Sequence, residues 1–234
     1  METRYTFLEP KTYDTLPDGR VRVYFDEQQS TESVTHEDPE GGEPTTDTYP
    51  VYTYRAADAD SFTRNAIIVA LIRAEYTADD ELAIQRQQDD KPVEYATYSA
   101  YVEWCKVYAD RIINGYTLET AKALKKAAVG QYDASADVRT FYVGEAPAWL
   151  SMNKRNNLRS SCESFRDAGI ETVSFMGRTL PVDTALALLS QIECYAGQTT
   201  VVTEMHKAAI EALETIEAVE AYDYTLGYPE KLIF

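Results

Sequence analysis

Two histidines, three cysteines and a surplus of carboxylates are the residues here that could do chemistry, and their spacing limits what that chemistry can be. A zinc hydrolase of the HExxH type would need a second histidine beside His206, and there is none. His206 is expected in the first turn of a helix, as a helix-start or packing residue. His36 falls in an acidic stretch where no packing would orient it. Asp58-Ala-Asp60 has the opening spacing of a calcium loop, but no glycine follows at the sixth position and no glutamate at the twelfth. The ten glycines are scattered, so no phosphate-cradling loop is formed. Cys105, Cys162 and Cys194 are an odd number at wide spacing, each among apolar helical positions, and they are expected to be buried free thiols rather than a disulfide or zinc set. With 39 acidic residues, no sequence pairing of carboxylates identifies an acid-base couple. No catalytic, cofactor-binding or metal residue is assigned, no cofactor is expected, and the chain is expected not to be an enzyme.

The remaining chemistry is that of contact. A net charge of −17 disfavours nucleic acid, whose backbone is held by clustered Lys and Arg, and points to protein partners. Against that background Lys154, Arg155 and Arg159 form a basic helix face suited to an acidic partner, including the 26–47 stretch of a second copy, although charged helix faces are commonly just solvated. Tyr101, Trp104 and Tyr108 flank an apolar helix stripe and are candidates for covering a neighbouring helix or a partner. Leu232, Ile233 and Phe234 form an apolar end that either packs on its own chain or anchors a neighbour. The longest wholly apolar run, residues 66–72, is far below the roughly 20 residues of a membrane helix. No basic-then-apolar leader opens the sequence, so the chain is expected to be cytosolic during synthesis.

These residues must be positioned by an α+β, helix-rich chain in two modules, each with a short hairpin or small antiparallel sheet packed on helices. Residues 11–16 and 20–25 alternate as strands around Pro17-Asp18-Gly19, a hairpin turn. Residues 26–47 carry eight acids and no Lys or Arg, and are expected to be a solvated loop ordered only by a partner. Residues 48–55 resume as a strand, with Pro50 favouring an edge. A helix capped by Asp60 or Ser61 runs through the apolar 66–72 stretch to about Tyr76, central to a core. A second helix begins near Thr77. A third follows Pro92 with Tyr95, Tyr98, Val102, Cys105, Ala109 and Ile112 on one stripe. A fourth runs from Thr117 to about Gly130.

Periodicity lapses over 131–137, which places the boundary between a module of residues 1–131 and one of residues 138–234. The second module reads as a strand at 139–143, a helix at 149–168 ended by Gly169, and a hairpin across Met176-Gly177. Two more helices come next, one capped by Asp183 and one by Thr203. Tyr222–Tyr224 then close the last helix, and Lys231 to Phe234 are expected to return as a short strand or anchor against the 139–143 strand or the second hairpin.

Several features of this module occur together in one family: the Trp149-Leu150 start, the helix with Arg155, the hairpin at Gly177, the "ECYA" helix end, the "TEMHKAAIEAL" helix and the closing "YDYTLGYPEKL". Over about residues 147–234 the chain resembles an uncharacterised domain of phage and prophage proteins often encoded near tail and tail-fibre genes. The N-terminal module resembles proteins of gut-phage type. The resemblance implies no reaction. It implies a structural subunit of the virion, in the tail or neck, that binds other virion proteins, connects fibres or rings, and occurs as a homo-oligomer in a symmetric assembly. A tail-fibre assembly chaperone absent from the mature particle is the alternative, and an enzyme acting on host surface glycans is a minor one.

Overall fold

The computed structural model describes residues 4–36 and 45–234. Seven helices and three small antiparallel sheets among these residues make the chain α+β and helix-rich. By contacts it divides into two compact units, residues 1–77 with 109–115, and residues 78–108 with 116–234.

The first unit is built on a four-stranded sheet of β1 (Tyr5–Phe7), β2 (Tyr13–Thr15), β3 (Val21–His36) and β4 (Thr45–Ala59), in the order β1-β4-β3-β2 and antiparallel throughout. The expected hairpin is present: Tyr13 pairs with Val23, and Gly19 at φ +84° supplies the turn residue that a side chain would strain. Period-two alternation then sorts the sheet's faces. Val21, Val23 and Phe25 lie opposite Ala59, Ala57 and Arg55, and the Arg55 guanidinium stacks over Phe25 and reaches the carbonyl of Ala74 just past helix α1 (Arg64–Arg73). The other face is an aromatic cluster, with Tyr24 edge-on to both Tyr5 and Phe7 and close to Tyr54.

Residues 26–47 are not a loop outside positions 37–44, which lie beyond the described residues. β3 and β4 continue as a two-stranded ribbon, with register running from Gln28 opposite Thr53 to His36 opposite Thr45. The net-charge reading overlooked the strand-forming Thr31, Val34, Thr35, Thr45 and Thr46 between the acids. Their hydroxyls meet across the ribbon, Ser33 with Thr48 at 3.3 Å and Thr35 with Thr46 at 3.1 Å, while the carboxylates are spread along its length. A bulge after Phe25, with Asp26 at φ 55°, separates the buried sheet from the exposed ribbon. Pro50 is tolerated because β1 borders β4 only at residues 52–54, so Pro50 has one strand neighbour, at Thr31.

Thr63, not Asp60 or Ser61, caps α1, and the helix is not apolar-buried all round: Ile67 and Leu71 are buried, whereas Val69 is exposed. Packing on β4 covers only one stripe of a helix this short.

The second unit holds α2 (Ala78–Arg86), most of α3 (Pro92–Asn114), α4 (Leu118–Ala134), the hairpin of β5 (Phe141–Val143) and β6 (Ala146–Ala148), α5 (Met152–Asp167), the hairpin of β7 (Thr172–Phe175) and β8 (Arg178–Pro181), α6 (Val182–Glu211) and α7 (Ile216–Ala221). α6 is its axis, packing on α4, α5 and the β7-β8 hairpin. One core cluster joins Phe141, Cys162, Phe175, Leu189 and Ile192; another joins Ala121, Val129, Ile210 and Val219. The expected boundary at 131–138 therefore does not match the contacts: α4 lies against α6 and α7, and belongs to the same unit as they do. The lapse in periodicity marks only the turn after α4, tied by Arg139 to Asp133 at 2.8 Å.

Two helix ends also differ from expectation. α4 runs through Gly130 to Ala134, since a lone glycine costs about 1 kcal/mol, less than the packing around it provides. α6 is one helix of 30 residues, with Pro181 at its start instead of an Asp183 cap and no break at Thr203. The hydroxyls of Thr199 and Thr200 fold back onto the Ala196 carbonyl, and Thr203 donates to Asp133 of α4 at 2.9 Å, so polar residues that suggest a break are satisfied inside a helix. Cys105 and Cys162 are buried as expected, and Cys194 is exposed on α6.

Candidate functional site

Tyr101, Trp104 and Tyr108 stack in sequence along α3, with ring centroids 5.7 Å and 4.8 Å apart. Spacing of three and then four residues places them on one face. Tyr108 is buried and the other two are half-buried. They form a ladder of rings within the unit.

The three cations of α5 do not act together. Ser151 caps this helix, accepting from the Lys154 amide at 3.1 Å, and the first turn then sends each base elsewhere. Lys154 reaches Asp90 at 3.4 Å, and Arg159 pairs with Glu193 of α6 at 2.9 Å. Arg155 turns inward and donates to the Leu150 carbonyl at 2.7 Å. The basic face in the sequence is thus divided among different partners: Lys154 points away from the Arg155–Arg159 face, and of those two, one turn apart and both near Glu193, only Arg159 pairs with it while Arg155 bonds the Leu150 carbonyl.

The terminal residues return as expected. Leu232 to Phe234 run parallel to β5: the Tyr142 amide donates to Leu232 at 2.8 Å, Phe234 to Tyr142 at 2.9 Å, and Gly144 to Phe234 at 2.9 Å. Strand alternation aims Leu232 and Phe234 into the Phe141 cluster and leaves Ile233 outside, 75% exposed.

His206 lies within α6, not in a first turn. Its Nδ1 is 2.8 Å from the Tyr222 hydroxyl and its Nε2 is 2.9 Å from the Leu226 carbonyl. The carbonyl can only accept, so Nε2 donates to it, and the Tyr222 hydroxyl can serve Nδ1 as either donor or acceptor. This histidine ties the segment after α7 onto α6. Among the described residues no group of three His, Cys, Asp or Glu is placed to hold a metal.

A constellation with no local sequence signal appears around the turn after α4. Asp133 accepts from Arg139 and from Thr203, and Thr203 meets the Tyr228 hydroxyl at 3.0 Å. Beside it lies a cavity of about 340 Å³, lined in part by Asp89, Tyr95, Arg139, Trp149 and Arg155. Asp89 accepts from Ser151 at 3.1 Å and Asn153 at 3.4 Å. Apart from Asp133 and Arg139, six residues apart, these partners are separated by tens of residues, so no spacing rule connects them. The one usable clue was Arg155 itself, a large cation four residues into a helix beside a Trp-Leu pair.

In the first unit, Asp58 of the rejected calcium-like pattern is held by Arg22, Nε to Oδ1 at 2.6 Å and Nη2 to Oδ2 at 2.8 Å. That forked pair lowers the Asp58 carboxyl below its usual value, against a smaller opposing effect of burial. No family model, curated protein or solved structure matches the chain.

Proposed function

We propose that this chain is a structural subunit of a bacteriophage particle, in the tail or neck, that binds other virion proteins and connects fibres or rings. The observation that carries the proposal is the β3-β4 ribbon. From Gln28 to His36 every residue of β3 is exposed, and at about 3.3 Å per residue this arm extends roughly 30 Å. An isolated two-stranded ribbon is marginally stable in water, and its edges are templates for another chain. On β4 burial begins at Val51, and from Thr45 to Pro50 all residues but the half-buried Tyr49 are exposed, so the outer arm buries little on its own chain, which suits a subunit whose neighbours complete it. The resemblance of residues 147–234 to a tail-associated domain supports the same reading, as does an acidic chain that favours protein over nucleic-acid contacts. Neighbours in such an assembly are further copies related by its symmetry, together with other virion proteins.

The test replaces residues 31–50 by Asn-Gly, joining the paired Ser30 and Val51 through a two-residue turn and keeping the buried Val51 and the Tyr52 pairing with β1. The expected result is a folded protein that no longer enters particles, while mass spectrometry detects the intact chain in purified particles. Normal incorporation of the shortened chain refutes the role of the ribbon. Absence of the intact chain from particles, with fibres failing to assemble without it, would establish an assembly chaperone instead.

A further inference from the structure

Arg155 is left chemically incomplete by the fold. A guanidinium carries five N–H donors. Among the described residues this one makes a single hydrogen bond, from Nη1 to the Leu150 carbonyl, and its Nε is buried with no acceptor. Burial pushes the guanidinium below its usual pKa; Glu193 opposes that effect and the nearby Arg139 adds to it. The sealed Nε is beyond a ligand's reach, but Nη2 is not sealed and has no acceptor among the described residues, so a group that accepts from this edge of a partly desolvated guanidinium is favoured.

The surroundings define what that group is attached to. Arg155 lines the 340 Å³ cavity, a volume at the small end of ligand sites and suited to a single ring with its substituents. Arg139, on the same wall, is already paired with Asp133, and Asp89 places a second carboxylate there. Two arginines against two aspartates favour a monoanion over a doubly charged phosphate. Trp149 and Tyr95 present ring surface for the C–H face of a saturated ring. The Ser151 and Thr200 hydroxyls and the Asp89 carboxylate can then exchange hydrogen bonds with ring hydroxyls.

We infer that this cavity binds a hexuronic acid, free or as a unit of an acidic glycan, with its carboxylate on Arg155 and its ring against Trp149 or Tyr95. The site lies within the second unit and does not depend on a place in a particle, so the isolated chain tests it. Calorimetric titration of the full chain with D-glucuronate, D-glucose, inorganic phosphate and an oligoglucuronate reads the selectivity directly. Glucuronate should bind at least about tenfold more tightly than glucose, since only it can pair with the guanidinium, and more tightly than phosphate. Arg155→Gln should weaken glucuronate at least tenfold and leave any glucose binding unchanged, while Arg155→Lys should restore part of the loss. Tighter binding of the oligomer than of the monomer would assign a glycan; equal binding would assign the free acid. Glucuronate indistinguishable from glucose, phosphate as tight as glucuronate, or no heat with any of the probes would overturn the inference. These comparisons use the unmodified chain and hold even if Arg155→Gln does not fold.

Discussion

Replacing Leu232 and Phe234 together by alanine tests whether the terminal strand is part of the second unit's core. At fully buried sites Leu→Ala costs about 2–5 kcal/mol and Phe→Ala about 3–5. Both side chains here are half-buried against the Phe141 cluster, with Phe234 edge-on to Phe141 at 5.8 Å between centroids. Taking roughly half of each value gives about 3 kcal/mol for the pair, with the two losses coupled because they share one cluster. The backbone hydrogen bonds to Tyr142 and Gly144 are retained, so the loss isolates side-chain burial. For a body of this size 1 kcal/mol shifts the melting temperature by about 2–4 °C, so the double variant should melt roughly 6–12 °C lower. Trp104 and Trp149, the chain's two tryptophans, both lie in the second unit, so their fluorescence tracks its unfolding. Ile233→Ala is the internal control: an exposed side chain should change stability by less than about 0.5 kcal/mol. If the double variant and the control melt alike, the return of the terminus does not stabilise the unit. If the double variant melts normally but fails to enter particles, those side chains serve a neighbour instead.

Thiol titration with a disulfide reagent should count one fast cysteine per native chain, Cys194, and three after denaturation; burial pushes the Cys105 thiol up to about 12, so its thiolate is scarce at neutral pH. Two fast thiols in the native protein would contradict the buried placement of Cys105 and Cys162. Because Arg22 lowers the Asp58 pKa in the folded chain, the pair's stabilisation is fully present above the unfolded carboxyl value near 3.9 and is lost as pH falls through the lower folded value. Asp58→Asn should therefore destabilise the first unit at pH 7 and flatten its acid dependence below about pH 4, as monitored by circular dichroism. An unchanged acid profile would show that the pair contributes nothing. Hydrogen exchange should separate the two parts of the long hairpin, with amides of 21–25 slow and those of 28–36 faster, since the latter lie in an exposed ribbon. Equal protection along β3 in a monomeric preparation would mean that something in the chain covers the arm.

The sequence alone determined whatever depends on neighbours along the chain. The hairpin at Gly19, the turn at Met176-Gly177, the end of α5 at Gly169 and the apolar stripe of α3 all stem from local sterics and periodicity, and all are present. The return of Leu232 to Phe234 was also legible, because three large apolar residues after a turn require cover. The tertiary structure was needed for every choice between local alternatives of similar energy. Thr203 is an acceptable cap until Asp133 of α4 is beside it, and then it is an interior helix residue. Gly130 is an acceptable stop until α6 and α7 pack along α4. The acidic 26–36 stretch is an acceptable loop until 45–53 pairs with it. The cavity that Arg155 lines is bounded by residues of α3, α4, α5 and α6, which are dozens of positions apart in the sequence. Local propensities differ by a few tenths of a kcal/mol to about 1, whereas one buried contact contributes about 1–3. Contacts distant in sequence therefore decide where local preferences are weak.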